Sequence, residues 1–150
     1  MSIANPRWAL AGNALAGAWR VAAWAAAKDG TSFTDRHAAA TMTFKRATRL
    51  SADAGPEPVK KGRTVTVTGS LTRQDWATWT AKPYAGRPVT LQFRKWKTST
   101  WTTVKTGKSS ASGVVKLTTP AKADGHFRLV YAADATSAGY TSVADYVDVR

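Results

Sequence analysis

The clearest alternation of apolar and polar residues in the chain lies in residues 87–106. Val89, Leu91 and Phe93 occupy every second position in its first half. The positions between and after them hold polar or amphipathic side chains, namely Thr90, Gln92, Arg94 and Trp96. A period of two places successive side chains on opposite faces of a strand, so this run predicts a strand with one buried and one exposed face.

A polar turn with the sequence Lys-Thr-Ser-Thr and a second strand over residues 101–106 follow this run. The second strand is rich in β-branched and aromatic types, which favour a sheet. The two strands predict a β-hairpin whose register places Trp96 opposite Trp101 on the outer face. On the inner face, Phe93 would lie opposite Val104.

Further alternating runs predict that the rest of the chain after residue 46 is also all-β. Strands are predicted over residues 47–54, 64–71, 113–119, 127–132 and 143–149. Phe127, Leu129 and Tyr131 point inward in this interpretation, and Gly69 marks a β-bulge. About seven short strands separated by turn signals predict an antiparallel Greek-key sandwich.

Three aromatic residues, Trp76, Trp79 and Tyr84, lie in a predicted loop over residues 73–86. Either they fold back over one end of the core, or they form an exposed stacking surface. The sequence leaves both alternatives open.

The first part of the chain also predicts two strands. Residues 18–27 are rich in alanine, which suits a helix, but Trp19, Val21 and Ala23 alternate and a Lys-Asp-Gly-Thr turn follows them. A second alternating run covers residues 37–46. We therefore interpret the pair as a hairpin.

This first hairpin parallels the C-terminal part of the chain. The run Gly17-Ala-Trp19-Arg20-Val21 corresponds to Gly125-His-Phe127-Arg128-Leu129, and later residues correspond with nearly the same spacing. We interpret residues 1–46 as the last two strands of a preceding module similar to residues 47–150, in a tandem repeat. Because a two-stranded hairpin alone is marginal in water, we expect this half-module to be loosely held, to pack on the following domain, or to associate with another chain.

Composition narrows the class of protein. The 150 residues contain no cysteine, which excludes disulfides and thiol chemistry, and the formal net charge is +13. Such a charge favours contact with polyanions, but the basic residues are spread along the chain, which also suits a solvated basic surface.

Neither a membrane span nor a signal peptide is predicted. No stretch approaches about 18 consecutive apolar residues. Ala14-Leu15-Ala16 has the form of a signal-peptidase site, but only Arg7 supplies a preceding charge, and Asn13 interrupts the apolar run.

Few residues suggest catalysis. His37 lies two residues from Asp35, and His126 two residues from Asp124, but neither pair has a nucleophile motif beside it. The carboxylates are too sparse to predict a metal site. The chain is therefore predicted not to be an enzyme, with no catalytic residues, no metal and no cofactor.

A basic and aromatic surface is the remaining candidate for ligand binding. The predicted hairpin brings Arg94, Trp96, Trp101 and Lys105 to its outer face. Two rings flanked by cations suit stacking on sugars or binding of anionic polymers. The alternative is that Trp96 and Trp101 form a cross-strand pair that only stabilises the hairpin.

Several stretches carry a resemblance to a known family: PEPVKKGRTVTVTGSLTRQDW, YAGRPVTLQFRKW, STWTTVKT, ADGHFRLVYAADATSAGY and DYVDVR. Together they resemble an Ig-like β-sandwich module of uncharacterised secreted proteins of Streptomyces-like actinobacteria, over residues 47–150. The resemblance implies an extracellular or wall-associated, structural or adhesive module without catalytic residues. In Ig sandwiches, the strand after the Asp-Gly turn often carries a tyrosine whose hydroxyl donates a hydrogen bond to the backbone. This chain has Phe127 in that strand, which lacks a hydroxyl group.

The sequence thus predicts an antiparallel Greek-key Ig-like β-sandwich over residues 47–150, preceded by a two-stranded remnant over residues 1–46. The predicted function is a non-enzymatic structural or adhesion module of a secreted or cell-wall-associated protein. The alternative is carbohydrate or anionic-polymer binding through the basic aromatic surface. Expected partners are cell-wall polymers, glycans, or another chain that completes the first half-module, and no specific nucleic acid.

Overall fold

The structure is a computed structural model, and it describes residues 12–150. A short 3₁₀ helix, Asn13–Leu15, precedes twelve strands. The strands are β1 (Gly17–Ala26), β2 (Phe33–Phe44), β3 (Thr48–Leu50), β4 (Asp53–Gly55), β5 (Thr64–Asp75), β6 (Thr80–Pro83), β7 (Pro88–Lys95), β8 (Thr102–Lys108), β9 (Val114–Pro120), β10 (Gly125–Tyr131), β11 (Tyr140–Thr141) and β12 (Asp145–Val147).

Strands β3 to β12 form two five-stranded antiparallel sheets. One has the order β11-β10-β7-β8, with β12 also paired to β10. The other has the order β3-β5-β4, with β6 and β9 also paired to β5. The chain passes from one sheet to the other after β6, after β8 and again after β9, which confirms the predicted Greek-key Ig-like sandwich.

The core lies between the two sheets. Leu91 of β7 is opposite Leu129 of β10, and Phe93 is opposite Phe127, so these side chains share the inner face. The inward positions predicted for Phe127, Leu129 and Tyr131 are confirmed, since all three are buried. Fully buried side chains come from both sheets: Val65, Val67, Leu71, Val89, Leu91, Val115, Leu129 and Val147.

Gly69 lies in β5 where another part of the backbone approaches closely. A Cβ atom at this position would collide with the Ser51 carbonyl oxygen and the Leu129 side chain. The pairing of β5 with β9 continues without a shift through Gly69 opposite Val115. The predicted bulge is therefore wrong, and the glycine is needed because a side chain does not fit.

The predicted loop over residues 73–86 instead contains a β-hairpin, formed by β5 and β6. Strand β5 continues to Asp75 and pairs with β6. Trp76 and Tyr84 are buried and cover one end of the core, whereas Trp79 is exposed, with a left-handed φ of 56° in the turn. The core-covering alternative is correct for two of the three aromatic residues.

Strands β1 and β2 form a separate two-stranded sheet. They pair antiparallel from Gly17 opposite Phe44 to Ala26 opposite Phe33, with an irregularity between Val21 and Ala23. Nearly every residue in both strands is exposed. This confirms the predicted hairpin, which we call the N-terminal hairpin.

Both ends of the N-terminal hairpin are tied to the sandwich. Before β1, the Asn13 amide donates to Asp75 Oδ1 at 3.1 Å, and its oxygen accepts from the Trp76 N–H at 2.9 Å. After β2, the Arg46 N–H donates to the Thr136 carbonyl oxygen at 2.9 Å. The hairpin therefore projects from a fixed base.

Candidate functional site

The outward side of the β7-β10-β12 sheet carries the sequence-predicted surface. Arg94 lies opposite His126, and Gln92 opposite Arg128, and these pairs alternate with the core pairs. Tyr146 of β12 lies opposite His126 on the other side of β10. We call the following set the basic aromatic face: Gln92, Arg94, Trp96, Trp101, His126, Arg128 and Tyr146.

Trp101 is held by two arginines on this face. The guanidinium of Arg128 lies 3.9 Å from the centre of the Trp101 ring, and that of Arg94 lies 5.0 Å from it. Arg128 Nε also donates to Gln92 Oε1 at 2.9 Å. Cation–π contacts with both guanidiniums thus occupy the ring of Trp101.

Trp96 packs in a different cluster on the same face. Its ring stacks on His126, with centroids 5.6 Å apart and planes 24° apart, and lies 5.1 Å from the Tyr146 ring. The predicted pairing of Trp96 with Trp101 is therefore wrong. The reason is that β7 ends at Lys95 and β8 begins at Thr102, so both tryptophans lie outside the ladder.

Lys105 does not share this face. The β7–β8 ladder shifts between Leu91 and Gln92, so that β8 carries one extra residue, Val104. Beyond the shift, Lys105 lies opposite the inward residue Leu91. The structure brings together Arg94, Trp96 and Trp101 but separates Lys105, and it places Thr102 rather than Val104 opposite Phe93.

The sequence interpretation missed His126, Arg128 and Tyr146 on this face. Their signal was present in the alternation of the run Gly-His-Phe-Arg-Leu, whose inward residues had been recognised. These residues join Arg94 and Trp96 because β10 pairs with β7 in the sheet. The two strands are far apart in the sequence, so the sequence pattern does not show this pairing.

A carboxylate network forms a second polar cluster at one end of the sandwich. Asp134 Oδ2 accepts hydrogen bonds from the hydroxyls of Tyr131 and Tyr84, at 2.7 and 2.8 Å. Asp134 Oδ1 accepts from the backbone N–H groups of Thr136 and Ser137. Partial burial acts to raise the pKa of Asp134, but these hydrogen bonds outweigh it and hold the pKa below its ordinary value. Burial, and then the bond to Asp134, raise the pKa of Tyr131 above its ordinary value.

Two arginines complete this network. The guanidiniums of Arg73 and Arg87 lie 4.0 and 4.5 Å from the centre of the Tyr84 ring. Arg73 Nη1 also donates to Ser137 Oγ at 3.2 Å. The two tyrosine hydroxyls, both Asp134 oxygens and the Tyr84 ring therefore all have partners within the cluster. These contacts hold the segment after β10 against the strands around it.

A cavity of about 300 Å³ lies between the two sheets, where the start of β8 faces the end of β9. Phe93 and Phe127 contribute aromatic surface to it. Among the described residues, Lys122 is the one charged side chain that lines this cavity.

The N-terminal hairpin presents the most exposed tryptophan and the most exposed phenylalanine of the described residues. Trp24 is 73% exposed and Phe33 is 65% exposed. Trp24 lies opposite Asp35, and Ala26 lies opposite Phe33, so the two rings are diagonal neighbours on one face. Trp19 and Met42 form a directly opposed pair nearer the base.

Within residues 12–150, no three or more His, Asp or Glu side chains come together in a way that could hold a metal ion. Over the same residues, no helix is long and apolar enough to cross a membrane.

Comparison with known proteins gives likenesses at the level of fold. No protein-family profile matches the chain, and no curated protein sequence is similar to it. Among solved structures, a superoxide reductase (neelaredoxin) from Ignicoccus hospitalis is similar, with 16% identity and a TM-score of 0.47, covering 69% of this chain and 82% of that one. A putative superoxide reductase from Thermotoga maritima is similar with 14% identity and a TM-score of 0.47, covering 71% of this chain and 87% of that one.

These likenesses contradict the function predicted from the sequence. The similar solved structures are described as superoxide reductases, not as structural, adhesion or carbohydrate-binding modules. The structural or adhesion role and its alternative, polymer binding through the basic aromatic face, are therefore withdrawn. At this identity and TM-score, the likeness transfers no activity to the present chain.

Proposed function

We propose that this chain is a protein-association module, in which the N-terminal hairpin engages another protein chain. The observation that carries the proposal is the exposure of Trp24 and Phe33 on a hairpin that no other described element covers. Contiguous exposed apolar surface on a folded protein is typical of a site that a partner covers.

The fixed base supports this proposal. Asn13 and Arg46 hold the two ends of the hairpin to the sandwich through side-chain and backbone hydrogen bonds. A surface presented from a fixed base loses less conformational freedom on binding than a free segment does. The hairpin is thus arranged to meet a partner with a defined orientation.

The distribution of charge supports it as well. Residues 17–44 contain three basic and two acidic side chains, a formal net charge of +1, whereas the whole chain carries +13. Depletion of charge is typical of the centre of a protein–protein interface, and a basic surround favours encounter with an acidic partner. The hairpin is therefore the part of this basic molecule best suited to close apolar contact.

A display selection tests the proposal. A random-peptide library is selected on the wild-type protein, and the binders are compared on a W24S/F33S variant. We expect most selected binders to lose affinity, because aromatic anchors carry much of the energy of an interface.

The matched control is W96S, which removes an exposed tryptophan from the basic aromatic face. Binders that recognise W24S/F33S as well as wild type, or that fail only on W96S, would show that the hairpin is not the association surface. Unfolding curves of each variant confirm that the sandwich is folded in the comparison.

A further inference from the structure

Strand β1 has one edge without a backbone partner among residues 12–150. Its ladder is formed with β2 alone. It is ten residues long and has a single charged side chain, Arg20, and no proline. An edge strand this long, with little charge, lacks the features that normally prevent pairing with another chain.

The hairpin β1–β2 and the strands β10–β12 share a common layout. Gly17 opens β1 opposite Phe44, and Gly125 opens β10 opposite Val147. Both ladders are interrupted, and pairing resumes at Ala23 in β1, six residues after its glycine, and at Val130 in β10, five residues after its glycine. The hairpin β1–β2 and the strands β10–β12 are therefore comparable position by position near their opening glycines.

The comparison identifies what is missing beside β1. In the sandwich, the other edge of β10 pairs with β7, which places Phe93 opposite Phe127 and Leu91 opposite Leu129. Counting from the opening glycines, Trp19 of β1 takes the place of Phe127, and Val21 that of Leu129. Trp19 is 40% exposed, whereas Phe127 is 4% exposed beneath its neighbours.

We propose that the unpaired edge of β1 accepts an antiparallel strand from another protein chain, with apolar residues opposite Trp19 and Val21. The partner strand has the pattern of β7, in which apolar residues recur at every second position. Backbone hydrogen bonds would supply affinity, and the two apolar positions would set the register. This inference rests on the proposed function and names the partner of the same hairpin.

A synthetic peptide tests the pairing directly. The probe carries residues 87–96 with the substitutions R94E and K95E, which reduce its repulsion from a protein of +13 charge. Amide hydrogen exchange is followed by NMR with and without the peptide. We expect alternate amides of β1 to gain protection, since alternate residues of a strand direct their backbone groups to the same edge.

Two matched variants and a control peptide locate the contact. V21K places a charge on the face that the apolar residues share and should weaken binding roughly tenfold or more. A18K places the same charge on the opposite face, where the ladder with β2 is regular, and should leave affinity nearly unchanged. A peptide of the same composition, with its apolar residues moved out of alternation, should bind much more weakly.

The outcomes separate this inference from the proposed function. Protection that appears on β8, an edge strand of the sandwich, would overturn the inference, as would equal binding of the two peptides. If selected binders need Trp24 and Phe33 but β1 amides gain no protection, the association module stands and strand addition is wrong. If the selected binders do not need Trp24 and Phe33, both the association module and strand addition are wrong. Self-association that competes with the peptide would identify a second copy as the occupant.

Discussion

Strands β1 and β10 have related sequences but very different surroundings. Each begins with glycine and continues with an aromatic residue, an arginine and an aliphatic residue at the same spacing. In β10, the aromatic and aliphatic residues are Phe127 and Leu129, and both are buried between two sheets. In β1, Trp19 and Val21 lie on a sheet of only two strands. The difference teaches that alternation selects a face, whereas neighbouring strands decide whether the face is buried.

The largest expected effect on stability compares the aliphatic residues at equivalent positions of β10 and β1, Leu129 and Val21. L129A should lower the free energy of unfolding by about 2–5 kcal/mol, because it leaves a cavity in a packed core. V21A should change it by less than about 1 kcal/mol, because the hairpin collapses or remains solvated without disturbing the core. Urea unfolding followed by circular dichroism measures both. Equal losses would show that the hairpin and the sandwich unfold as one packed unit.

The next effect contrasts a carboxylate in the sandwich with one on the hairpin. D134N should lower the free energy of unfolding by about 1–3 kcal/mol, because the hydroxyl and N–H donors around Asp134 lose a charged acceptor. D35N, on the exposed hairpin, is the matched control and should cost much less.

The lowered pKa of Asp134 predicts that the folded protein loses stability as the pH falls. The pKa of Asp134 is lowered in the folded protein, so its stabilisation is complete above the unfolded-state pKa of about 3.9 and is lost as the pH falls towards the lower folded-state pKa. Between about pH 5 and pH 2, wild type should therefore lose more stability than D134N. Parallel pH profiles for the two proteins would contradict the role given to Asp134.

A smaller effect contrasts two tryptophans. W101L should lower the free energy of unfolding by about 0.5–2 kcal/mol, because it removes the cation–π contacts with Arg94 and Arg128. W24L, on the hairpin, should have almost no effect on the same urea curve. If W24L costs as much as W101L, Trp24 packs on the sandwich in solution and is not available to a partner.

The smallest expected effect on stability is that of polar substitution at the tip of the hairpin. F33S should change the free energy of unfolding by less than about 0.5 kcal/mol, as is usual for exposed positions.

Limited proteolysis of wild type should cut within residues 12–46 before it cuts within residues 64–150. Equal protection of the two regions would remove the distinction between a presented hairpin and a packed sandwich.

The sequence was sufficient to predict the strands and their inward faces, because burial between sheets imposes a period of two on residues such as Phe127, Leu129 and Tyr131. It was insufficient where one residue alters the register. The extra residue Val104 moved Lys105 off the basic aromatic face, and alternation alone cannot reveal such an insertion.

Contacts between distant parts of the chain were also beyond the sequence. The stacking of Trp96 on His126 joins residues that only the sheet order makes neighbours. The pattern marks Gly69 as unusual, but the reason, a close approach by Ser51, depends on how β3 and β4 pair along β5. A local pattern can indicate that a position is unusual without indicating what touches it.

The fixed base of the N-terminal hairpin has a mechanical consequence. Asn13 attaches one end to the β5–β6 turn. Arg46 attaches the other end both to the Gln74 carbonyl oxygen of β5, through its Nε, and to the segment that joins β10 and β11, two strands of the opposite sheet. Tension applied to the hairpin tip is therefore divided between the two sheets. A partner that pulls on the hairpin would strain the sandwich as a whole before it could peel away a single strand.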